Sequence, residues 1–410
     1  MTYFTHLKLS RWRQFESVAL DLSDRLVVLT GPNGCGKTTL LSLLGRHFGW
    51  NQQFLSSPLT SKRQRRRYSD AWDAEEQPEI SGVPIGTLGY SEGHQARIVA
   101  PVADSTQTNI QLDNQRPVAG IHIPSHRPPP GYARLQNIPI DPKTSEQHFQ
   151  AYQNFLFQSY GESPRRNPSV AMKEALIGFA VFGEGNSSVS ANQEYEGILR
   201  GFESILGKLL PQHLGFERIE IDTPEVLLRT RTGRFPLESM SGGLNAIFGI
   251  AWQIHMHAIG GRTCTVLLDE PENHLHPSMQ REFLPRLLDA FPDHRFVVAT
   301  HSPFVVASSP VAAVYGLLFG TNQRVTSRRL EHTDLAGSPQ RLLRDVLDVP
   351  VVMPLWVEAR IKQLLSGFAD RSFDADAISE LRERLREEGL ESAFGDYLVQ
   401  APLRGESSLS

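Results

Sequence analysis

Hydrophobic residues in the first fifty positions follow strand patterns and then a helix pattern. The segments FTHLKLSRW and SVALDL predict two strands, and the apolar run RLVVLT predicts a third. Leu40, Leu41, Leu43 and Leu44 predict an apolar helix directly afterwards. The glycine-rich stretch GPNGCGKTT joins this third strand to the helix. The pattern therefore predicts a strand, loop and helix unit close to the start of the chain.

The middle of the chain becomes polar and then returns to strand and helix patterns. The stretch from about Asn51 to Pro78 predicts an exposed insertion, because a basic run is followed by several acidic residues. The runs ARIVAPV, NIQL and AGIHI predict short strands, and HFQAYQNFLFQSY and YEGILRGFESILGKLL predict helices. No heptad pattern is sustained there, which excludes a long coiled coil. The basic run comprises Lys62, Arg63, Arg65, Arg66 and Arg67.

Helix and strand patterns alternate again after Gly233. The stretch DADAISELRERLREEG places Ile378, Leu381 and Leu385 on one face of a predicted helix, with Gly389 suited to its end. Of the 410 residues, 40% are hydrophobic and 21% are charged, which is typical of a globular protein with a full-sized core. A formal net charge of −4 disfavours a protein that coats nucleic acid with its whole surface.

Two cysteines, Cys35 and Cys264, suit a reducing compartment and provide no disulfide or metal framework. The N-terminus lacks a signal-peptide pattern, and no apolar stretch is long enough to cross a membrane. These features predict a cytoplasmic protein that is not inserted in a membrane.

The glycine-rich stretch fits the pattern G-x-x-x-x-G-K-[ST] with Gly31, Gly36, Lys37 and Thr38. Such a loop lets backbone N–H groups approach phosphate, while the lysine reaches the β and γ oxygens and the hydroxyl ligates Mg²⁺. The alternative is a glycine-rich turn with an incidental lysine. The strand before the loop and the helix after it favour the phosphate loop.

A carboxylate pair follows a second apolar run in TVLLDEPENHLHP. Val266, Leu267 and Leu268 predict a central parallel strand that ends at Asp269, near Mg²⁺. Glu270 then stands where it can polarise an attacking water. The alternative is an acidic strand end that begins a turn at Pro271, which is weaker beside a phosphate loop.

Two weaker signals surround these carboxylates. Ser241, Gly242 and Gly243 open an apolar helix, where free N–H groups can meet an anion or serine can simply cap the helix. The strand RFVVATHSPF ends at His301, from which an imidazole can reach a γ-phosphate, although a lone histidine there is commonly structural.

The order of these four motifs resembles the ATP-binding-cassette (ABC) class of ATPases, which includes SMC-like and RecF-like proteins. Within it, DEPENHLHP and THSPF resemble the OLD-like and RecF-like branch, including ATPase subunits of bacterial anti-phage systems such as Septu. RWRQF resembles the Asn-Phe-Arg-Ser-Phe pattern of that branch, which implies that Arg13 lies near the nucleotide. The Ser-Gly-Gly segment corresponds to the signature motif of this class. It departs from the usual signature at Met240, where leucine is common, and at Leu244-Asn245.

The resemblance implies an α/β fold, an ABC-type P-loop NTPase head with a mixed sheet, flanking helices, an inserted helical lid and a C-terminal helical extension. The implied segments are 1–50 with the phosphate loop, 51–140 with the insertion and basic loop, 141–215 as the lid, 216–325 with the other three motifs, and 326–410 as the extension.

It also implies ATP and Mg²⁺, bound between two heads in a homodimer or a higher even-numbered homo-oligomer. One protomer would supply the phosphate loop, Asp269, Glu270 and His301, and the Ser241–Gly243 segment of the other would close over the γ-phosphate. Asn273 and His274 match the segment that touches the opposing site. Proteins of this class also have a glutamine-bearing loop, which is not found in this sequence. The segment GIHIPSHRPPP occupies its place, so that either His126 or Arg127 substitutes for the glutamine, or both residues belong to a surface loop. The phosphate-loop residues are Gly31, Pro32, Asn33, Gly34, Cys35, Gly36, Lys37, Thr38 and Thr39.

Acidic residues near the end of the chain fit a helix start and surface better than a nuclease site. The leading hypothesis is therefore an ATPase that senses or regulates for a separately encoded effector, a nuclease or toxin, in anti-phage defence. The alternative is a RecF-like DNA-binding ATPase in repair or recombination, whose basic run contacts phosphate. The nucleotide-binding subunit of a membrane transporter fits the long insertion poorly.

Overall fold

The computed structural model describes residues 2–50, 53–59, 67–74, 81–127, 132, 135, 143–159, 168–185, 187, 190–331, 342, 353–367, 375–391, 393, 394 and 397. The chain divides into two compact units, Met1–Ala336 and Gly337–Ser410. The first unit carries all four sequence motifs.

The strands lie in the first unit. Among the described residues they are β1 (Phe4–Trp12), β2 (Phe15–Asp21), β3 (Leu26–Thr30), β4 (Phe54–Leu55), β5 (Gly82–Tyr90), β6 (Gln95–Pro101), β7 (Gln107–Thr108), β8 (Gln111–Asp113), β9 (Gly120–Ile123), β10 (Phe216–Asp222), β11 (Glu225–Thr230), β12 (Gly233–Pro236), β13 (Thr265–Asp269), β14 (Arg295–Ala299), β15 (Ala313–Phe319) and β16 (Val325–Arg329).

Helices occur in both units. Within the described ranges they are α1 (Lys37–Gly45), α2 (Ser145–Ser159), α3 (Pro168–Gly183), α4 (Gln193–Leu209), α5 (Gly242–Ala258), α6 (Pro277–Ala290), α7 (Pro303–Val306), α8 (Leu355–Ser366) and α9 (Ala375–Glu387). One-turn 3-10 helices cover Arg46–Phe48, Trp72–Ala74, Gln212–Leu214 and Leu237–Ser239.

Eleven of the described strands form one mixed sheet in the order β8-β6-β5-β1-β2-β16-β15-β3-β14-β13-β9. From β8 to β2 each neighbouring pair is antiparallel, and from β15 to β9 each pair is parallel. The strands β10, β11 and β12 form a separate antiparallel sheet. This mixed sheet with flanking helices confirms the predicted α/β fold class.

The central parallel strands explain why the motifs meet. Every residue of β3 and of β13 is buried, as expected for strands covered on both faces. Because β14 lies between them in a parallel arrangement, all three carboxyl ends reach the same edge of the sheet. The phosphate loop follows β3, the carboxylate pair ends β13, and His301 follows β14.

The exposed insertion predicted for residues 51–78 is wrong for part of its described length. Phe54, Ala71 and Ala74 are buried in the core cluster that also contains β1, β2 and α1. Phe54 packs edge-on against Trp12, with ring centroids 5.6 Å apart, and Ala71 forms a β-bridge with Trp12. These apolar contacts are made by isolated residues, which leave no periodic pattern in a polar stretch.

Helices α2, α3 and α4 occupy the stretch where a helical lid was predicted. Helix α3 packs on α2 and α4, and α2 and α4 both contact α5, the helix that begins at the Ser-Gly-Gly motif. The sequence did not predict α3, because its buried residues are almost consecutive and show no amphipathic period. The strands β10 and β11 were also missed.

The second unit contains the predicted C-terminal helix as α9. Leu381 and Leu385 on this helix are buried together with Val357 and Ile361 of α8, as predicted, and the side chain of Ile378 lies outside the described residues. Gly389 has a φ of 69° and the N–H of Leu390 donates to Leu385 O, so the glycine ends the helix as predicted. No helix in the described parts of the chain is long and apolar enough to span a membrane.

Candidate ATP site

The phosphate loop is held against the sheet so closely that two of its glycines cannot carry side chains. At Gly31, with a φ of 146°, a Cβ would lie 2.4 Å from Leu317 O. At Gly36, with a φ of 100°, it would lie 2.3 Å from Gln14 Nε2. The loop's shape therefore depends on both glycine conformations.

Lys37 lies inside this loop and is only 6% exposed. Its Nζ donates to Gly31 O at 2.8 Å and to Pro32 O at 3.2 Å, and it lies 3.9 Å from Cys35 Sγ. Burial raises the pKa of the Cys35 thiol, although the nearby ammonium opposes this effect. The loop carbonyls thus hold the lysine where phosphate oxygens could replace them. Among the other loop residues, Asn33, Gly34 and Thr38 are exposed, and Pro32 and Thr39 are half-buried.

Thr38 and Asp269 bring together a hydroxyl and a carboxylate. Thr38 Oγ1 donates to Asp269 Oδ2 at 2.8 Å, and Asp269 is 1% exposed. Its Oδ1 is buried without a hydrogen-bond partner among the described residues. Burial raises the pKa of this carboxyl to about 6, against the hydrogen bond from Thr38. An oxygen pair with one unsatisfied buried oxygen fits Mg²⁺, which prefers oxygen ligands.

Glu270 is oriented through its backbone and through both carboxylate oxygens. Its φ is 45°, and its N–H donates to Ala299 O at 2.8 Å. Asn273 Nδ2 donates to Glu270 Oε2 at 3.1 Å, and His301 Nδ1 lies 3.3 Å from Glu270 Oε1. The side chain is therefore directed by its neighbours and only partly shielded, with 27% of it exposed.

His301 is fixed by a third carboxylate, Glu272. The backbone N–H of His301 donates to Glu272 Oε1 at 3.1 Å, and the Thr300 hydroxyl donates to the same oxygen at 2.5 Å. Glu272 is 5% exposed, whereas the His301 side chain is 47% exposed. The buried carboxylate thus anchors the end of β14 while the imidazole reaches solvent.

The Ser-Gly-Gly motif begins α5 at the surface. Ser241 Oγ accepts a hydrogen bond from the N–H of Leu244 at 3.4 Å, so Ser241 caps the helix. Ser241 and Gly242 are exposed, but Gly243 is buried and its Cβ would lie 2.8 Å from His274 O. Within one protomer the motif therefore packs on the turn that follows Glu270.

Arg13 is held by residues of the 53–74 segment. Its Nε lies 3.1 Å from Asp70 Oδ2, and one Nη donates to Leu55 O at 2.8 Å. It lines a pocket of about 500 Å³ together with Trp72 and Arg324. The neighbouring residue Gln14 reaches Gly36 of the phosphate loop. Contact between Arg13 and nucleotide remains a prediction.

Arg127 lies beside the carboxylate pair, whereas its role as a substitute for the glutamine loop stays a prediction. It donates to Glu270 O at 3.0 Å and to Pro124 O at 3.4 Å, whereas His126 is exposed. In the basic run, Lys62, Arg63, Arg65 and Arg66 lie outside the described residues. Arg67 donates to Val102 O at 2.8 Å.

Sequence reasoning did not single out Gln14 or Glu272. Gln14 sits inside the RWRQF stretch that drew attention to Arg13, and Glu272 is the third acid of DEPEN. The spacing of Glu272 two residues after Glu270 was the available signal. Its role becomes visible only when β14 is placed beside β13.

Two family profiles match the regions that carry the motifs. Residues 6–62 match "AAA domain", and residues 204–307 match "AAA domain, putative AbiEii toxin, Type IV TA system". The first region includes the phosphate loop, and the second includes Ser241, the carboxylate pair and His301. Residues 63–203 lie between the two matched regions and belong to neither of them.

The chain is also similar along most of its length to the Septu protein PtuA of Bacillus thuringiensis. The two are 20% identical over 97% of this chain and 93% of that protein. A local match to the DNA replication and repair protein RecF of Rhizobium meliloti is 56% identical over 39 residues, 10% of each chain. A probable ATPase of retron Ec83 from Escherichia coli is 51% identical over 43 residues, 10% of this chain and 8% of that one.

Among solved structures, the SMC head domain from Thermotoga maritima aligns with 80% of this chain and 99% of its own, at 14% identity and a TM-score of 0.43. The profiles and the likeness along the chain to PtuA confirm the recognition from the sequence. The chain is therefore similar to ABC-type P-loop ATPases, including one from a bacterial defence system.

Proposed function

We propose that this chain hydrolyses ATP in a dimer of heads, and that the dimer regulates a separately encoded effector, a nuclease or toxin, in anti-phage defence. The observation that carries the proposal is the convergence of Lys37, Thr38, Asp269, Glu270 and His301 at the carboxyl ends of three adjacent parallel strands.

Nucleotide binding begins with the phosphate loop. The N–H groups of the loop and the start of α1 face the anion, and Lys37 exchanges its carbonyl partners for the β and γ oxygens. Thr38 and Asp269 would hold Mg²⁺, which supplies neutralisation of charge on the phosphates. Arg13 would lie near the nucleotide, which is supported by the approach of its neighbour Gln14 to Gly36 of the loop.

Hydrolysis requires a base that accepts a proton from water near the γ-phosphate. Glu270 serves as that base, because Asn273 and His301 hold its two oxygens in one orientation. With His301 Nδ1 turned to the carboxylates, its Nε2 is the nitrogen available to phosphate. Arg127 fixes the backbone carbonyl of Glu270.

Dimerisation supplies the remaining donors. Ser241 and Gly242 are exposed, so their polar groups can meet the γ-phosphate of ATP bound to the other protomer. The start of α5 adds helix N–H groups and a favourable dipole for an anion. When two heads meet face to face, each contributes one phosphate loop and one Ser241–Gly243 segment, so two equivalent sites form. The result is a symmetric dimer or an assembly with an even number of chains.

The defence role is supported by the likeness along nearly the whole chain to Septu protein PtuA. The first test uses tagged Glu270→Gln protein, expressed with its native genomic neighbours and isolated from phage-challenged cells. Isolation of a nuclease or toxin in a stoichiometric amount would support regulation of a separately encoded effector. This partner should be absent when Lys37→Ala protein is used. DNA with repair factors and no such partner would replace it with the RecF-like function.

The basic run separates these two outcomes further. Five positive charges can neutralise several phosphates, so DNA binding through them would weaken steeply with salt. Replacing Lys62, Arg63, Arg65, Arg66 and Arg67 with serine would abolish that binding under the RecF-like function. Unchanged DNA affinity in the variant would exclude the run as the DNA contact.

A further inference from the structure

Helix α3 buries a lysine beside two carboxylates. Lys173 is 1% exposed, and its Nζ lies 2.5 Å from Glu225 Oε2 and 2.6 Å from Glu238 Oε1. Tyr132 packs over the ammonium, with 5.3 Å between Nζ and the ring centroid, and donates to Glu225 Oε1 at 3.0 Å. One cation thus joins a helix of the lid region to two other parts of the chain.

Glu238 connects this cluster to the Ser-Gly-Gly motif. It lies in the 3-10 turn Leu237–Ser239, three residues before Ser241, and its side chain is 7% exposed. Leu237 and Met240 on either side of Glu238 are buried. The segment that leads into α5 is therefore fixed by apolar packing and by an ion pair to α3.

The ion pair is a strong directional link because it is shielded from water. Burial opposes the charge on Lys173, but hydrogen bonds to Glu225 and Glu238 outweigh that effect and raise its pKa. A buried charge must keep its partners at hydrogen-bond distance, since losing one leaves the other charge uncompensated. A displacement of α3 must therefore either move the turn before Ser241 or break the pair.

We propose that Lys173 is a positioning residue for the signature half of the ATP site, holding Ser241–Gly243 where ATP on the other protomer can meet it. The inference rests on the proposed ATP-sandwich dimer. It adds that the helical segment α2–α4 communicates with the nucleotide through Lys173 and Glu238. Loss of Lys173 should therefore impair the ATP site whose phosphate loop belongs to the other protomer. The phosphate loop of the chain that carries the substitution should not be affected.

Mixed dimers test this assignment directly. Lys173→Met should reduce ATP hydrolysis about tenfold or more while ATP affinity stays within about twofold of wild type. Mixed with Lys37→Ala, it should recover about one quarter of the wild-type rate, because half of random dimers contain one intact site. In that site the Lys173→Met chain supplies the phosphate loop and the Lys37→Ala chain supplies the signature.

The same experiment with Ser241→Arg separates the inference from the dimer on which it rests. The mixture of Ser241→Arg with Lys37→Ala should recover ATP hydrolysis if the dimer forms as proposed. If that mixture recovers hydrolysis but the mixture of Lys173→Met with Lys37→Ala does not, only the positioning role is overturned. No recovery in either mixture would overturn the ATP-sandwich dimer and this inference together. Recovery in both supports the proposal.

Controls distinguish positioning from a general loss of structure. Lys208→Met on α4 removes a lysine paired with Asp289 at the surface and should leave hydrolysis unchanged. Lys173→Arg keeps the charge and should restore most of the activity. If Lys173→Met does not fold, Glu238→Gln breaks the charge pair from the other end and must show the same recovery with Lys37→Ala. Failure of Glu238→Gln to recover, beside recovery by Ser241→Arg, overturns the proposal.

Discussion

The two halves of the candidate ATP site are held in the protomer in different ways. In the phosphate-loop half, Lys37 and Asp269 are 6% and 1% exposed. Lys37 donates to a carbonyl of its own loop, and Asp269 accepts from Thr38 of α1. In the signature half, Ser241 and Gly242 are exposed at the beginning of α5. The phosphate-loop half therefore has buried functional side chains at one edge of the sheet, whereas the signature half begins with exposed residues.

This difference indicates where each kind of substitution should act. Changes in the buried half should affect nucleotide binding or chemistry within one chain. Changes near Ser241 should spare binding and affect what happens when two chains meet. The predictions below test that separation, beginning with the largest expected effect.

Replacing Glu270 with glutamine should lower kcat by about a thousandfold, since the amide cannot accept the proton from water. ATP binding should persist, and the ATP-bound dimer should accumulate. Phosphate release and light scattering with ATP would measure the two effects. Glu282→Gln on α6 is a matched control, because Glu282 pairs with Arg286 at the surface. Hydrolysis by Glu270→Gln at the wild-type rate would contradict the assigned base.

Replacing Lys37 with alanine should weaken ATP binding about a hundredfold, as expected for the loss of charge-assisted hydrogen bonds to phosphate. Isothermal titration calorimetry would measure the affinity, with Lys208→Ala as the control. Unchanged affinity would show that the lysine remains bound to Gly31 and Pro32 when nucleotide is present.

The two halves touch at Gly243, whose substitution should be destabilising. Gly243→Ala places a Cβ against His274 O and should reduce the free energy of unfolding by about 1–3 kcal/mol through overpacking. Gly249→Ala on the same helix meets open space and should stabilise by about 0.5–1 kcal/mol. Denaturant unfolding would compare them. Equal effects would mean that the motif does not need its close contact with His274.

Acid should destabilise the fold that supports both halves, because burial lowers the pKa of several histidines to about 4. The unfolded chain binds these protons from about pH 6.5, so stability is present above that pH and declines toward pH 4. Each histidine contributes up to about 1.4 kcal/mol per pH unit in that window. Asp269, with its raised pKa, acts in the opposite sense between about pH 6 and 4. The histidines are His47, His122, His148, His255 and His294.

Unfolding free energies measured from pH 8 to pH 4.5 would test this pH dependence. His122→Leu should reduce the slope by up to one proton, because both ring nitrogens of His122 are buried and have no hydrogen-bond partner in the described part of the chain. A stability that is constant down to pH 5 would contradict the expected uptake of protons on unfolding.

Local pattern was sufficient for the elements that carry the motifs. The strand β3, the helix α1 and the strand β13 have continuous apolar runs, and their ends are marked by glycines or carboxylates. The helix α3 and the buried residues Phe54 and Ala71 could not be predicted in this way. Their burial depends on partners far away in the sequence, and it leaves no period in their own segments.

The sequence by itself determined the phosphate loop, the carboxylate pair and the apolar strands that support them, because these depend on neighbouring residues in one segment. Only the tertiary structure decided that Gln14 touches the loop, that Glu272 anchors His301, and that Lys173 pairs with Glu238. Hydrogen bonds and ion pairs between distant segments depend on how strands and helices are placed beside one another. No local pattern records that placement.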